Sequence, residues 1–139
     1  MKKYAGLWFI GFVALVACAG CNPPADYALV GSAYVPAAQG DIHIEKLDKE
    51  QILVVVAMDY LPPPSSIEEG MTHYVVWFSA VGEYPAPQQP LEYDPVTRTG
   101  RASIPTSMLN LDVQITAEQQ ERPSQPSDLL IASQKIRED

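Results

Sequence analysis

The clearest pattern in the chain is a strict alternation of apolar and polar residues between positions 111 and 118. The alternating residues are, in order, Leu111, Asp112, Val113, Gln114, Ile115, Thr116, Ala117 and Glu118. A period of two predicts a β-strand with one buried and one solvent-facing side. The next apolar run, Leu129 to Ile136, follows a polar segment that is interrupted by Pro123 and Pro126. We expect the two runs to pair as a hairpin with a long loop.

Two other runs, Ile52 to Tyr60 and His73 to Val81, are apolar at nearly every position. This composition is typical of central strands that are covered on both faces. Weaker patterns predict further strands over Tyr27 to Val35, Asp41 to Leu47, Pro90 to Tyr93 and Arg101 to Ile104. Between the last two, the segment from Asp94 to Gly100 has the composition of a turn.

These patterns together indicate an all-β fold. The 13 prolines are scattered along the chain, and long helices are therefore excluded from most of it. About six to eight short strands at a spacing of about 8 to 12 residues predict an antiparallel β-sandwich of immunoglobulin-like type. Trp77 lies in the middle of an apolar strand, so we expect it to be the central packing residue of the core.

The amino-terminal segment has the layout of an export signal. Lys2 and Lys3 precede an apolar run from Leu7 to Ala17. This run is far shorter than the roughly 20 residues of a membrane-spanning helix, which predicts a cleaved signal peptide.

The signal ends in Cys18-Ala19-Gly20-Cys21, which resembles the lipobox of bacterial lipoproteins. The resemblance implies cleavage before a cysteine and acylation of that cysteine, for example with palmitate. Two frames fit, and we slightly favour Cys21 over Cys18 because small residues precede Cys21 directly. The expected organisation is a signal peptide over residues 1–20, a tether or edge segment over 21–40 and the sandwich domain over 41–139. We expect a lipid-anchored protein of the cell envelope, on the periplasmic face of the inner or outer membrane.

The net charge and the cysteine content argue against several kinds of partner and site for this protein. The formal net charge is −8, and no basic stripe or aromatic platform offsets it, so nucleic acid is not an expected partner. No cysteine follows Cys21, which leaves the folded domain without an internal disulfide. The C-x-x-C spacing is a poor redox or zinc motif here because no βαβ pattern follows it.

Few residues have the surroundings that catalysis or metal binding requires. The candidates considered are His43, His73, Asp59, Glu68, Glu69, Ser65 and Ser66. No cysteine or acidic cluster stands at ligand spacing from either histidine, and neither serine lies in a nucleophile elbow. We therefore expect no catalytic residue, cofactor or metal, with a hydrolase that uses Asp59 and Glu69 as an alternative.

Tyrosines and prolines recur together at predicted strand ends. Tyr60, Tyr84 and Tyr93 each stand close to a proline, and such a surface can bind peptides or glycans. The same residues can instead cap the ends of a sandwich. Pro62-Pro63-Pro64 is either a rigid link between two strands, which we favour, or a polyproline ligand.

Four features of the sequence occur together in a known family. They are Tyr74-Val75-Val76-Trp77-Phe78, Gly100, the strand from Leu111 to Glu118 and the segment from Pro123 to Ile131. The resemblance is to the extracytoplasmic domain of anti-sigma-K factors. It covers about Ile52 to Ile136 and implies a β-sandwich in an extracytoplasmic setting, without catalytic residues. The family's Glu-Pro and glycine pair is replaced here by Glu118-Gln119-Gln120, and its cytoplasmic helical part has no counterpart in the sequence. The resemblance therefore does not imply that the protein regulates a sigma factor.

The sequence thus predicts a non-enzymatic, lipid-anchored envelope protein that serves as a structural or protein-interaction module. A ligand-binding or sensory accessory of an envelope signalling system is the alternative that the family resemblance suggests. An envelope protein is the expected partner in either case.

Overall fold

The computed structural model describes residues 25–108 and 110–137, which form strands and one short helix. The strands are β1 Ala25–Val30, β2 Gln39–Lys46, β3 Ile52–Asp59, β4 His73–Ala80, β5 Ala86–Pro90, β6 Glu92–Asp94, β7 Thr99–Thr106, β8 Leu111–Glu118 and β9 Leu130–Ile136. Helix α1 is a single turn, Pro64–Ile67. The predicted leader, with Cys18 and Cys21, lies outside the described residues.

The strands form two antiparallel sheets. Sheet A has the order β1-β2-β3-β7-β6, and sheet B has the order β5-β4-β8-β9. Without β1 and β5, this is the arrangement of four and three strands in an immunoglobulin constant domain. The predicted all-β sandwich is confirmed, and β1 is an additional edge strand beside β2.

The strand predictions that followed strong patterns are close to the observed bounds. The alternating segment is β8 at the predicted residues, and it pairs with β9 as expected. The predicted strand Pro90 to Tyr93 is wrong, because β5 ends at Pro90 and β6 begins at Glu92 in the other sheet. The buried Leu91 lies at this crossing, and its backbone N–H donates to the Tyr74 carbonyl.

The core lies between the inner faces of the two sheets. Strand β8 contributes its alternating apolar residues, and β4 contributes Tyr74, Val76 and Phe78. Strand β3 contributes Ile52, Val54, Val56 and Met58. Each of these side chains is at most 4% exposed, so burial of apolar surface is the main stabilising contribution, at about 25 cal/mol per Å².

The outer faces of the two central strands differ. Every residue of β4 from Tyr74 to Ser79 is buried, which agrees with a strand covered on both sides. Strand β3 instead alternates between buried and half-buried positions, so the expectation that it is covered on both faces is wrong. Its outer-face Val55 is half-buried and lies between its cross-strand neighbours His43 and Ser103.

Residues 25–40 belong to the sandwich. Strand β1 pairs with β2 along its whole length, and Val35 and Ala38 in the following loop are buried. Ser32 fastens this loop to sheet B, since its hydroxyl donates to the Leu130 carbonyl over 2.6 Å. Of the two alternatives for this segment, tether and edge strand, the described part is an edge strand followed by a packed loop.

The register of the strands defines two ends of the sandwich. At one end, which we call the Tyr60 end, lie the last residues of β1 and β3 and the first residues of β4 and β9. At the opposite end, the Tyr84 end, lie the first residue of β1, the turn between β2 and β3 and the turn between β4 and β5. The exposed Val30, Tyr34 and Val96 share the Tyr60 end, whereas Leu47 and Val81 share the Tyr84 end.

Candidate interaction surface

Tyr60 is held in an uncommon backbone conformation directly after β3. Its φ angle is 59°, in the left-handed region that costs most residues other than glycine about 1 kcal/mol or more. The side chain is 62% exposed. This backbone conformation is unfavourable, and Tyr60 is not part of the core. Contacts made by the neighbouring residues must therefore stabilise it.

Leu61, the next residue, supplies those contacts. Its side chain is fully buried, and its backbone N–H donates to the Arg98 carbonyl over 2.9 Å. Its own carbonyl accepts hydrogen bonds from the Tyr93 hydroxyl, at 2.7 Å, and from Arg98 Nε, at 3.4 Å. The backbone that follows Tyr60 is therefore fixed on both sides of the Leu61 residue.

Two tyrosines, Tyr74 and Tyr93, fix two successive carbonyls, and we call this pair the tyrosine clamp. Tyr93 donates to the Leu61 carbonyl, and Tyr74 donates to the Pro62 carbonyl. The rings meet edge to face with centroids 5.5 Å apart. Burial raises the pKa of both phenols, which extends the alkaline range over which they stay protonated donors.

The hairpin turn between β6 and β7 lies against the same residues. Asp94 Oδ1 accepts hydrogen bonds from the backbone N–H groups of Val96 and Thr97, and these bonds lower the pKa of the Asp94 carboxyl. Arg98 closes the turn with a φ angle of 58°. The turn leaves Val96 88% exposed.

The three tyrosines that the sequence predicts as a binding surface are divided between the two ends. Tyr60 and Tyr93 come together because both residues contact or adjoin Leu61. The Tyr93 side chain is half-buried and contacts Leu61 and Tyr74, whereas the Tyr60 side chain is exposed to solvent. Tyr84 lies in the turn after β4, at the opposite end, and is 97% exposed. The candidate interaction surface is therefore Tyr60 with its exposed neighbours at the Tyr60 end, without Tyr84.

Trp77 is fully buried, but its side chain lies on the outer face of sheet B. Its neighbours Val76 and Phe78 belong to the core cluster, and side chains alternate along a strand. Trp77 Nε1 donates to Thr116 Oγ1 over 2.8 Å. The residue therefore packs behind sheet B, and not between the two sheets.

The contact between Trp77 and Thr116 continues into a buried polar chain. Thr116 Oγ1 donates to Glu118 Oε1 over 2.7 Å, and the Ser127 backbone N–H donates to the same oxygen over 2.7 Å. Thr116 and Glu118 are 1% and 5% exposed, so the face of β8 that was expected to be solvated is buried at this end. These hydrogen bonds join the loop before β9 to the outer face of sheet B.

The remaining sequence candidates have structural roles or lie on the surface. Ser66 donates its hydroxyl to the Pro63 carbonyl over 2.7 Å, within the turn that Pro64 begins. The prolines thus link β3 to β4 through a short helical turn, and Pro64 is buried. Asp59, Glu68 and Glu69 are exposed, as is Ser65.

The two histidines are in different sheets. His73 begins β4, and its Nδ1 lies 2.8 Å from Thr72 Oγ1. His43, on the outer face of β2, lies opposite Asp26 of β1, and its Nδ1 is 2.6 Å from Asp26 Oδ1. Within residues 25–108 and 110–137, no three histidine, cysteine or acidic side chains are grouped for metal binding.

The pair of His43 and Asp26 predicts a pH dependence. The hydrogen bond to Asp26 raises the pKa of His43 above 6.5, with smaller contributions from Glu45 and Asp41. The stabilisation is thus complete below pH 6.5 and is lost as the pH rises through the higher folded-state value. NMR titration of the His43 ring should give a midpoint above 6.5, and Asp26→Asn should lower it. An equal midpoint in the two proteins would show that the pair does not form in solution.

Comparison of the chain with protein-family models, with curated proteins and with solved structures gave no match. In the part of the chain that the structure describes, no helix has the length and apolar character to cross a membrane.

Several residues that hold the loops in place could not be identified from the sequence. Leu61 and Arg98 hold the backbone beside Tyr60, but contacts between residues so far apart leave no distinctive pattern in the sequence. Thr116, Glu118 and Ser127 had a weak signal, because Trp77 needs a hydrogen-bond acceptor when it is buried. The polar positions of the alternating strand between residues 111 and 118 could supply that acceptor.

Proposed function

We propose that the protein is a lipid-anchored, non-enzymatic β-sandwich of the bacterial cell envelope that works as a protein-interaction module. The observation that carries the proposal is the display of Tyr60 on a backbone that is locked in the left-handed region. Strained residues that surrounding contacts over-determine are concentrated at sites of function. Exposed, rigid aromatic rings are typical anchors of protein interfaces because they lose little entropy on binding.

Two further features support this proposal. The arrangement of Lys2, Lys3, the apolar run and Cys21 resembles a lipoprotein signal, which supports a position on the outer side of a membrane. The exposed Tyr34, Tyr60 and Val96 lie at one end of the sandwich, among loops that the core and the tyrosine clamp hold in place. A partner can meet this end without any rearrangement of the sheets.

Photo-crosslinking in cells tests the interaction. A photoreactive phenylalanine analogue is placed at Tyr60 in one variant and at Tyr84 in another, since both positions are exposed and lie at opposite ends. We expect the Tyr60 variant to give one discrete adduct with an envelope protein, and the Tyr84 variant to lack that adduct. Equal adducts from both positions, or none from Tyr60, would contradict an interaction surface at the Tyr60 end.

The anchor is tested separately by metabolic labelling with a fatty-acid probe. We expect Cys21→Ala to abolish the label and Cys18→Ala to retain it. Retention of the label in Cys21→Ala with loss in Cys18→Ala would move the anchor to Cys18. Absence of label from the unchanged protein would contradict lipid anchoring.

A further inference from the structure

The Tyr84 end of the sandwich carries exposed side chains that the proposed interaction does not use. Leu47 is 51% exposed in the turn between β2 and β3, and Val81 and Tyr84 are 62% and 97% exposed in the turn between β4 and β5. These two turns come from different sheets and project from the same end of the molecule.

The first described strand begins at this same end. Ala25 pairs with Ile44 of β2, two residues before β2 ends at Lys46. Only Asn22, Pro23 and Pro24 separate Ala25 from Cys21 in the sequence. An extended chain spans at most about 3.6 Å per residue, so the Cα atom of Ala25 lies within about 14 Å of that of Cys21.

This distance is short compared with the domain. A strand of eight residues, such as β3, is about 26 Å long. An acylated Cys21 can therefore bring the Tyr84 end to a bilayer surface, while the length of the strands separates Tyr60 from it. An anchor at Cys18 would extend the reach to about 25 Å and would not select an end.

The side chains at the Tyr84 end suit the interfacial region of a bilayer. Tyrosine places its ring at the level of the lipid headgroups, and leucine and valine enter the adjacent apolar layer. The described residues include three lysines, and all three lie at this end. Lys46 and Lys135 are within the last two residues of β2 and β9, and Lys49 is in the turn between β2 and β3. Their long side chains can bury apolar carbons and keep the amine among the phosphates.

Acidic residues at the Tyr84 end limit any electrostatic contribution. Asp48, Glu50 and Glu83 lie in the same two turns as Leu47 and Tyr84. At the opposite end, the exposed Asp59, Glu68 and Glu69 would be repelled by anionic lipid. The orientation of the domain therefore comes from the short tether and the apolar side chains. It does not come from attraction between a net positive charge and the lipid.

We infer that the anchored domain rests on the bilayer through Leu47, Val81 and Tyr84 and presents the Tyr60 end to its partner. The inference depends on the proposed acylation of Cys21, and it adds an orientation and a lipid-contacting surface. The occupant of this surface is the phospholipid bilayer that holds the acyl chains.

Site-specific fluorescence on the acylated, full-length mature protein tests this orientation. No cysteine follows Cys21, so a label can be attached at Tyr84→Cys or, for the opposite end, at Val96→Cys. Both positions are exposed, at 97% and 88%, and neither substitution removes a core side chain. The protein is reconstituted in vesicles of phosphatidylethanolamine and phosphatidylglycerol that contain a phospholipid with a headgroup quencher.

The label at position 84 should be quenched at least about threefold more than the label at position 96, because interfacial groups enter only about 5–10 Å of the bilayer. Equal quenching, or stronger quenching at position 96, would overturn the orientation. As a control, a Gly/Ser linker of about thirty residues before Ala25 should reduce the difference, since its r.m.s. span of about 30 Å exceeds the length of a strand. An unchanged difference with the linker would overturn the role of the short tether.

Three outcomes of the experiment distinguish a wrong orientation from a wrong anchor. If the protein carries no acyl chain and does not bind vesicles, the proposed anchor is wrong. If the unsubstituted mature protein reacts with the thiol label, Cys21 is free and the anchor is at Cys18. If the protein is acylated at Cys21 and bound, but both labels are quenched equally, only the orientation is wrong.

Discussion

Replacement of Trp77 by alanine is expected to lower the free energy of unfolding by about 3 to 5 kcal/mol. The indole is fully buried behind sheet B, so its removal leaves a cavity that the paired strands β4 and β8 cannot close. The substitution also removes the donor to Thr116 Oγ1. Urea denaturation of residues 21–139, with Cys21→Ser to remove the proposed acylation site, measures the change.

Two other variants separate packing from hydrogen bonding at this position. Trp77→Phe keeps most of the apolar volume and loses the Nε1 donor, and we expect it to cost less than half as much as Trp77→Ala. Tyr84→Ala removes an aromatic side chain that is 97% exposed, so it should leave the unfolding midpoint unchanged. If Trp77→Ala unfolded at the wild-type midpoint, the indole would not be buried in solution.

The position of Trp77 shows what the sequence could and could not predict about the fold. The apolar character of residues 73 to 81 identified a buried strand, and alternation required Val76 and Trp77 to face opposite sides. Both sides are apolar, however, so the pattern could not decide which side faces the core. That choice follows from pairing with β8, where Val76 lies opposite the core residue Ile115 and Trp77 lies opposite the half-buried Gln114.

The candidate surface was predictable only in part, for a similar reason. Tyr60, Tyr84 and Tyr93 could be recognised as aromatic residues at strand ends. Whether they converge depends on the order of strands, which places Tyr84 one strand length away from the other two. The left-handed conformation of Tyr60 depends on the bonds of Leu61 to Tyr93 and Arg98, and both of these residues lie more than 30 positions along the chain.

The segment before residue 41 gives the opposite lesson. Its alanines and prolines have the composition of a spacer, yet Tyr27 to Val35 also carries an apolar pattern. Pairing with β2 and the bond from Ser32 to Leu130 bring this segment into the sandwich. Few residues therefore remain between Cys21 and the sandwich, and this is why the fold bears on the proposed orientation of the domain at a membrane.

Glu118→Ala is expected to cost about 2 to 4 kcal/mol, because it leaves a buried and a partly buried donor without an acceptor. Glu118 Oε1 accepts from both Thr116 Oγ1 and the Ser127 backbone N–H, and the side chain is 5% exposed. Glu118→Gln retains a carbonyl oxygen that can accept both bonds, so its cost should stay below about 1.5 kcal/mol. Urea denaturation of residues 21–139 with the same Cys21→Ser substitution measures both values.

The two variants should differ in the loop before β9 as well as in global stability. Ser127 is the point at which this loop is tied to the outer face of sheet B, and Glu121 within the loop is exposed. Cleavage by a glutamyl endopeptidase at Glu121 should therefore become faster in Glu118→Ala and remain near wild type in Glu118→Gln, because local opening controls proteolysis of a folded domain. Equal destabilisation by alanine and glutamine would mean that the negative charge matters more than the acceptor geometry. Wild-type behaviour of Glu118→Ala would mean that water replaces the carboxylate and that the loop is held by Ser127 Oγ, which donates to the Ala117 carbonyl over 2.7 Å.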